Sequence, residues 1–170
     1  MKSVYLASPL GFAESSRSYM HDLVNRLRTH VDLHNPWDEH SFDAAFSVVA
    51  TIDSVSERNQ KLAEINQQIG RLNREAIDYC DALFAVLDGV DVDSGTASEI
   101  GYAFARGKYI CGLRTDFRLA GDNPGAIVNL QVEYFIKESG GEIVATSEEL
   151  IDIVLAYAAR LGGEEKSSPS

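Results

Sequence analysis

A chain of 170 residues, 45% hydrophobic and 24% charged, has the size and composition of one ordinary globular domain. Its net charge of −11 and the absence of any basic run exclude a surface for nucleic-acid polymers, whose phosphates are held by clustered Lys and Arg. Apolar runs such as Ala82 to Leu87 are far shorter than the roughly 20 residues that span a bilayer. No membrane partner is expected, and neutral small molecules remain as ligands.

Residues 3–7 (SVYLA) read as a buried strand. The segment before it has no long apolar core of the signal-peptide kind, which predicts a cytoplasmic protein. A turn at Ser8 to Gly11 leads into a helix over 14–30, where Tyr19, Leu23 and Leu27 repeat at i, i+4. Residues 31–34 make a second short strand, stopped by Asn35-Pro36. Periodicity is weak from Trp37 to about Ser56, which reads as loop plus short helix. Residues 62–80 then form a helix with one apolar stripe through Leu62, Ile65, Ile69, Leu72, Ala76 and Ile77.

The run at 81–87 (DALFAVL) is the clearest strand, apolar enough for a central parallel position covered on both faces. Asp88-Gly89 turns the chain, and a polar loop runs to Gly95. A helix over 96–106 follows, closed by Gly107 in the C-capping position. Residues 108–113 form the fourth strand. A Gly- and Pro-containing loop precedes an amphipathic segment at 126–138; 142–146 make a fifth strand, and 147–161 a last helix. The small, polar tail 162–170 is expected to be disordered, leaving one domain over 1–161. Strands alternating with helices predict an α/β fold, a doubly wound parallel sheet with right-handed crossovers and helices on both faces.

Ligands of such sheets bind outside the carboxyl ends of the strands. No glycine-rich dinucleotide or P-loop fingerprint follows any strand, and there is no Gly-x-Ser-x-Gly elbow. His21, His30, His34 and His40 have no metal-ligand spacing and read as surface or helix-end residues. Cys80 and Cys111 read as buried small hydrophobes of a reducing compartment.

What remains is 93–103 (DSGTASEIGYA). Thr96-x-x-Glu99 matches a capping box, in which hydroxyl and carboxylate satisfy helix-end amides. The same spacing puts Glu99 on the first helical turn at the carboxyl edge of the sheet. There the helix dipole favours an ionised, low-pKa carboxylate of the kind that attacks an anomeric carbon. Asp88, Asp91 and Asp93 crowd the preceding loop. A solvated acidic loop explains Asp88 and Asp91; Asp93, at the turn into the helix, is the better candidate for handling a proton.

The residues in order are Tyr5 to Phe12 (YLASPLGF), Asn35 to Trp37 (NPW), Asn73 with Ile77, Asp81 to Gly89 (DALFAVLDG), Asp93 to Ala103, Thr115 to Arg118, and Val128 to Leu130. Together they resemble the nucleoside 2-deoxyribosyltransferase family across most of 3–135. The resemblance implies a flavodoxin-like, five-stranded fold and catalysis without metal or organic cofactor, on 2'-deoxynucleosides and free nucleobases. It makes Glu99 the nucleophile, Tyr5 the hydroxyl that orients it, and Asp93 a base contact that assists protonation. It makes Asn129 a residue lent by a neighbouring subunit to the sugar 5'-hydroxyl, hence a homo-oligomer, with Gln131 against the same pocket. Phe12 and Trp37 become aromatic walls for a base, or else plain core aromatics. Where some members carry a second base-contacting aspartate, this chain has Asn73, an amide that hydrogen-bonds but cannot act as an acid. The activity implied is 2-deoxyribosyl transfer through a covalent ester on Glu99 with net retention, hydrolysis being a side reaction. The alternatives are a 2'-deoxynucleoside 5'-phosphate N-hydrolase and a non-catalytic nucleotide-binding module.

Overall fold

The computed structural model describes residues 1–39 and 42–159; the tail at 162–170 and His40 lie outside them. Five strands, β1 (Ser3–Ala7), β2 (Asp32–His34), β3 (Ala82–Val86), β4 (Tyr109–Leu113) and β5 (Ile143–Val144), form one sheet in the order β2-β1-β3-β4-β5. Every pairing is parallel. This is the flavodoxin-like order, with its topological switch point between β1 and β3. Tyr5 pairs with Leu83 across that point.

Among the described residues the sheet is accompanied by seven helices: α1 (Glu14–Arg28), α2 (Pro36–Glu39), α3 (Asp43–Ala50), α4 (Val55–Tyr79), α5 (Ser94–Ala105), α6 (Leu130–Glu138) and α7 (Ser147–Ala159). Strand alternation sorts the core into two layers. Val4, Leu6, Phe84, Val86, Cys111 and Leu113 face α1 and α7. Tyr5, Ala7, Leu83, Ala85, Leu87 and Ile110 face α4, α5 and α6 through Ile77, Ile100, Ala103, Val132 and Ile136. Burial of both faces gives the uninterrupted apolar strands seen in the sequence. The same alternation sends the Tyr5 side chain toward α5, where Glu99 is. Both cysteines are buried, and the Cys111 thiol is pushed up to about 12 by burial. Among the described residues, no helix is long and apolar enough to cross a membrane.

Several boundaries differ from the sequence reading. The weakly periodic stretch contains α2 and α3, and α4 starts at Val55 rather than Leu62. Its first turns bury nothing, so they leave no apolar stripe; the signal was Ser54, whose hydroxyl accepts from the Glu57 amide at 3.4 Å. Helix α5 begins at Ser94, and its N-cap is Asp93, whose carboxylate accepts from the Thr96 amide at 3.0 Å. The Thr96–Glu99 capping box is therefore not formed. Glu99 is the sixth helical residue, a full turn deeper than expected and free of capping duty. At the other end Gly107, at φ +69°, takes the left-handed position after the helix, as its sequence position predicts. Helix α6 begins only at Leu130, because Asn129 caps it through Oδ1, accepting from the Gln131 and Val132 amides at 3.0 and 3.4 Å.

Candidate active site

At the switch point the carboxyl ends of β1 and β3 open into a pocket of about 530 Å³, within the 300–1,000 Å³ usual for small-molecule sites. Glu99 of α5, half-buried, lies in its lining with Asp93, Asn73, Phe12 and Trp37. Behind it the fully buried Tyr5 donates its hydroxyl to Glu99 Oε1 at 2.7 Å. Asn73 of α4 donates from Nδ2 to the same oxygen at 3.3 Å.

The protonation state of this carboxyl is the main departure from the sequence reading. Burial pushes Glu99 up from the ordinary 4.5 to about 7; the Tyr5 hydrogen bond opposes it, the Asp93 charge adds to it, and the Asn73 amide opposes it again. The expectation of a low-pKa carboxylate fails for two reasons. The helix-terminus effect fades beyond the first turn, and Glu99 sits past it. Desolvation penalises the charged form, and here it outweighs both hydrogen bonds.

The loop that delivers Asp93 is held from behind. Asp88 accepts from the Thr115 amide at 2.6 Å, the Asp116 amide at 2.9 Å and the Thr115 hydroxyl at 2.7 Å. The buried Arg114 guanidinium donates to the Leu87 carbonyl at 2.5 Å and the Gly89 carbonyl at 3.2 Å. Asp88 is thus an anchor between two loops rather than a solvated acid. Asp91 binds the neighbouring Val92 amide at 2.7 Å. Neither lies in the pocket lining, and Asp93 does.

The two predicted aromatics pair edge to face, with centroids 4.7 Å apart. Phe12 is 72% exposed and Trp37 38% exposed, so neither is a plain core residue. The Trp37 indole donates to the Ser8 carbonyl at 2.8 Å. Its ring lies so close to Gly11 that a Cβ there would sit 2.1 Å from it. The loop after β1 is therefore shaped around the indole.

Asn129 and Gln131 are not brought to this pocket. Asn129 is engaged as a helix cap, and Gln131 is exposed on α6. Conversely, sequence reasoning missed the wall made by the start of α3 and the middle of α4: Phe42, Asp43, Phe46, Asn66, Ile69 and Leu72. Ile69 and Leu72 belonged to the predicted stripe, and they line the pocket between the buried Ile65 and Ile77 of the same helix. Among the described residues, no Lys, Arg or His lines the pocket.

Residues 4–134 match the model of the family described as nucleoside 2-deoxyribosyltransferase. An uncharacterised protein of Schizosaccharomyces pombe is 36% identical over 104 residues, covering 58% of this chain and 49% of its own. The chain thus spans about half the length of that curated relative. A conserved protein of Enterococcus faecalis V583 is similar at 26% identity and TM-score 0.66, over 92% of this chain and 99% of that one. At the level of fold alone, a 2-deoxyribosyltransferase of Bacillus psychrosaccharolyticus matches at 19% identity and TM-score 0.63, over 92% and 95% of the two chains. The CMP N-glycosidase BcmB of Clostridium botulinum matches at 23% and 0.55, over 92% and 99%. The chain belongs to the nucleoside 2-deoxyribosyltransferase family.

Proposed function

We propose that the protein transfers the 2-deoxyribosyl group between nucleobases through a covalent ester on Glu99. The observation that carries this reading is the Tyr5 hydroxyl, 2.7 Å from Glu99 Oε1, holding a carboxyl at the sheet's switch point inside a nucleoside-sized pocket.

The reaction follows the retaining pattern. The Glu99 carboxylate attacks C1' as the C1'–N bond breaks, and the bonding pair leaves with the base. Asp93, ionised beside Glu99 in the free protein, passes to the departing base a proton taken from solvent as the substrate binds. Its Oδ2 accepts from the Thr96 amide, which leaves Oδ1 for that exchange. An incoming base then attacks C1' from the vacated side, returns its proton to Asp93 and frees Glu99. Two inversions give net retention. A carboxyl titrating near 7 is half in its nucleophilic form at neutral pH, and it is a good leaving group for the second step. Water reaching the ester gives the side hydrolysis; Phe12, Trp37, Phe42 and Phe46 form apolar walls that limit it.

Asn129 enters as a group lent by a second copy. Its distance from its own pocket suits that role, and its turn-stabilised position offers the remaining amide hydrogens to a neighbour. The assembly is then a homo-oligomer, with Gln131 beside the same sugar.

A 5'-phosphate substrate is the less favoured reading. A dianion calls for cationic or amide donors, and among the described residues the lining holds no Lys, Arg or His. Arg17, adjacent to the rim, donates instead to the Gly11 carbonyl at 3.3 Å. Incubation with deoxyinosine and free adenine tests the proposal: formation of β-deoxyadenosine is expected. Hydrolysis restricted to a deoxynucleoside 5'-phosphate, with no exchange, would replace it by the N-hydrolase reading. Binding with no bond cleavage would leave the non-catalytic one.

A further inference from the structure

We propose that Asn73 is a positioning residue for Glu99, a second anchor on the nucleophile rather than only a contact for the base. The inference rests on the reading of Glu99 as nucleophile and specifies which of its oxygens reacts. Tyr5 and Asn73 approach from different elements, β1 and α4, yet both donate to Oε1. Among the described residues none donates to Oε2. An ionised carboxylate oxygen only accepts, so the amide must present Nδ2 to it, which fixes the Asn73 rotamer as well. With Oε1 held by two donors, rotation about the carboxyl bond is blocked and Oε2 is the oxygen presented to C1'.

The frame behind this contact is built to keep α4 and α5 in register. One turn beyond Glu99, the Tyr102 hydroxyl donates to both oxygens of Asp78 at 2.9 and 3.0 Å, and Arg106 donates to Asp78 at 2.8 Å. Lys108 donates to the carbonyls of Asp78 and Cys80 at 2.9 and 2.5 Å. Asp78 lies five residues beyond Asn73 on α4, so this cluster sets the spacing that places Nδ2 within 3.3 Å of Oε1. Such outer supports hold catalytic groups within the small tolerances they need.

An amide at this position also differs electrostatically from an aspartate. Facing Glu99 are the Tyr5 hydroxyl from β1 and the Asp93 carboxylate from the start of α5; Asp43 of α3 shares the pocket lining. With the Asp93 charge already acting on a desolvated carboxyl, a further carboxylate 3.3 Å away would compete for the same proton. Asn73 supplies a donor without that charge.

The test reads Glu99 directly. The protein is labelled with carboxyl-¹³C glutamate, the Glu99 signal is identified by its loss in Glu99→Gln, and its shift is followed with pH in free enzyme. Asn73→Leu keeps the bulk and removes the donor; Asn73→Asp adds the charge. The titration midpoint is expected to rise by about 0.5–1 unit in Asn73→Leu. In Asn73→Asp it should rise by more than 1 unit, or split into two coupled steps. A base contact alone would raise KM and alter base preference while leaving the free-enzyme midpoint in place. A midpoint unmoved in Asn73→Leu, in a variant with wild-type near-UV circular dichroism, overturns the proposal. A second variant, Asn73→Ala, decides if leucine perturbs that spectrum: the same rise supports the role, and no rise rejects it. Because no substrate is present, failure here is separable from failure of the transfer reading, which an exchange assay judges on its own.

Discussion

Replacing Tyr5 with Phe deletes one hydroxyl and leaves the buried ring in place between β1 and α5. The lost bond is the 2.7 Å donation to Glu99 Oε1, made in a desolvated site to a group that titrates at about 7. A hydrogen bond to a charged group contributes about 1.5–3 kcal/mol. Here it favours only the ionised form, so at 1.36 kcal/mol per unit the Glu99 midpoint should rise by about 1–2 units. At pH 7 the ionised fraction would fall from about half to between about 0.1 and 0.01, a loss of about 5- to 50-fold in the rate of ester formation. The assay is the single-turnover rate of base release from pH 5.5 to 9.5. In the wild type the rate should climb through about pH 7, since the nucleophile must lose its proton; in Tyr5→Phe the same climb should appear displaced to higher pH, with most of the rate recovered at the alkaline end. A uniform loss at every pH would refute the reasoning, because it would mean that the hydroxyl acts on the sugar or base and not on the ionisation of Glu99.

Three further outcomes follow from the same geometry. Glu99→Gln should stabilise the protein, and more so at alkaline pH: the folded carboxyl's raised value means that its favourable contribution is complete below about 4.5 and lost as pH rises through about 7. Urea midpoints should show a gain about 2 kcal/mol larger at pH 8.5 than at pH 5.5, and equal gains at both would contradict the desolvation. Gly11→Ala places a methyl inside the Trp37 ring, so the chain's single tryptophan should shift its emission and KM should rise several-fold, with kcat changing less; an unmoved spectrum would show that the loop yields instead. Asn129→Ala should cost about 1 kcal/mol through loss of its cap. If it serves a neighbour, mixing inactive Asn129→Ala and Glu99→Ala subunits should restore activity, whereas two inactive partners that stay inactive together would show that Asn129 is not lent across subunits.

The architecture was legible because strands buried on both faces, such as 82–86, and the glycine after α5 leave strong local signals. The pairing of Tyr5 with Glu99 was legible only through family resemblance: it depends on strand alternation, on the phase of α5 and on which helix crosses which face, none of them local. The helix start was misread because Asp93 and Thr96 both suit an N-cap, and it is the Asp93 carboxylate that accepts from the Thr96 amide and starts the helix at Ser94. The wall from α3 escaped notice because that helix buries only Val49 in the core and directs Phe46 to the pocket, so it has no clean amphipathic period. The ionisation of Glu99 was misjudged for the same reason. The residues around it come from other elements, Asn73 26 positions and Tyr5 94 positions away in sequence, and local spacing carries no information about them.

The central claim is a covalent bond between the sugar and Glu99. Intact-protein mass spectrometry after incubation with a 2-fluoro-2-deoxy nucleoside, whose fluorine slows release of the ester, measures it directly. The account predicts one added sugar per chain, mapped by peptide fragmentation to Glu99 and missing in a folded Glu99→Ala. A sugar carried on another residue, or base release from the wild type through repeated turnovers with no adduct ever formed, would contradict it.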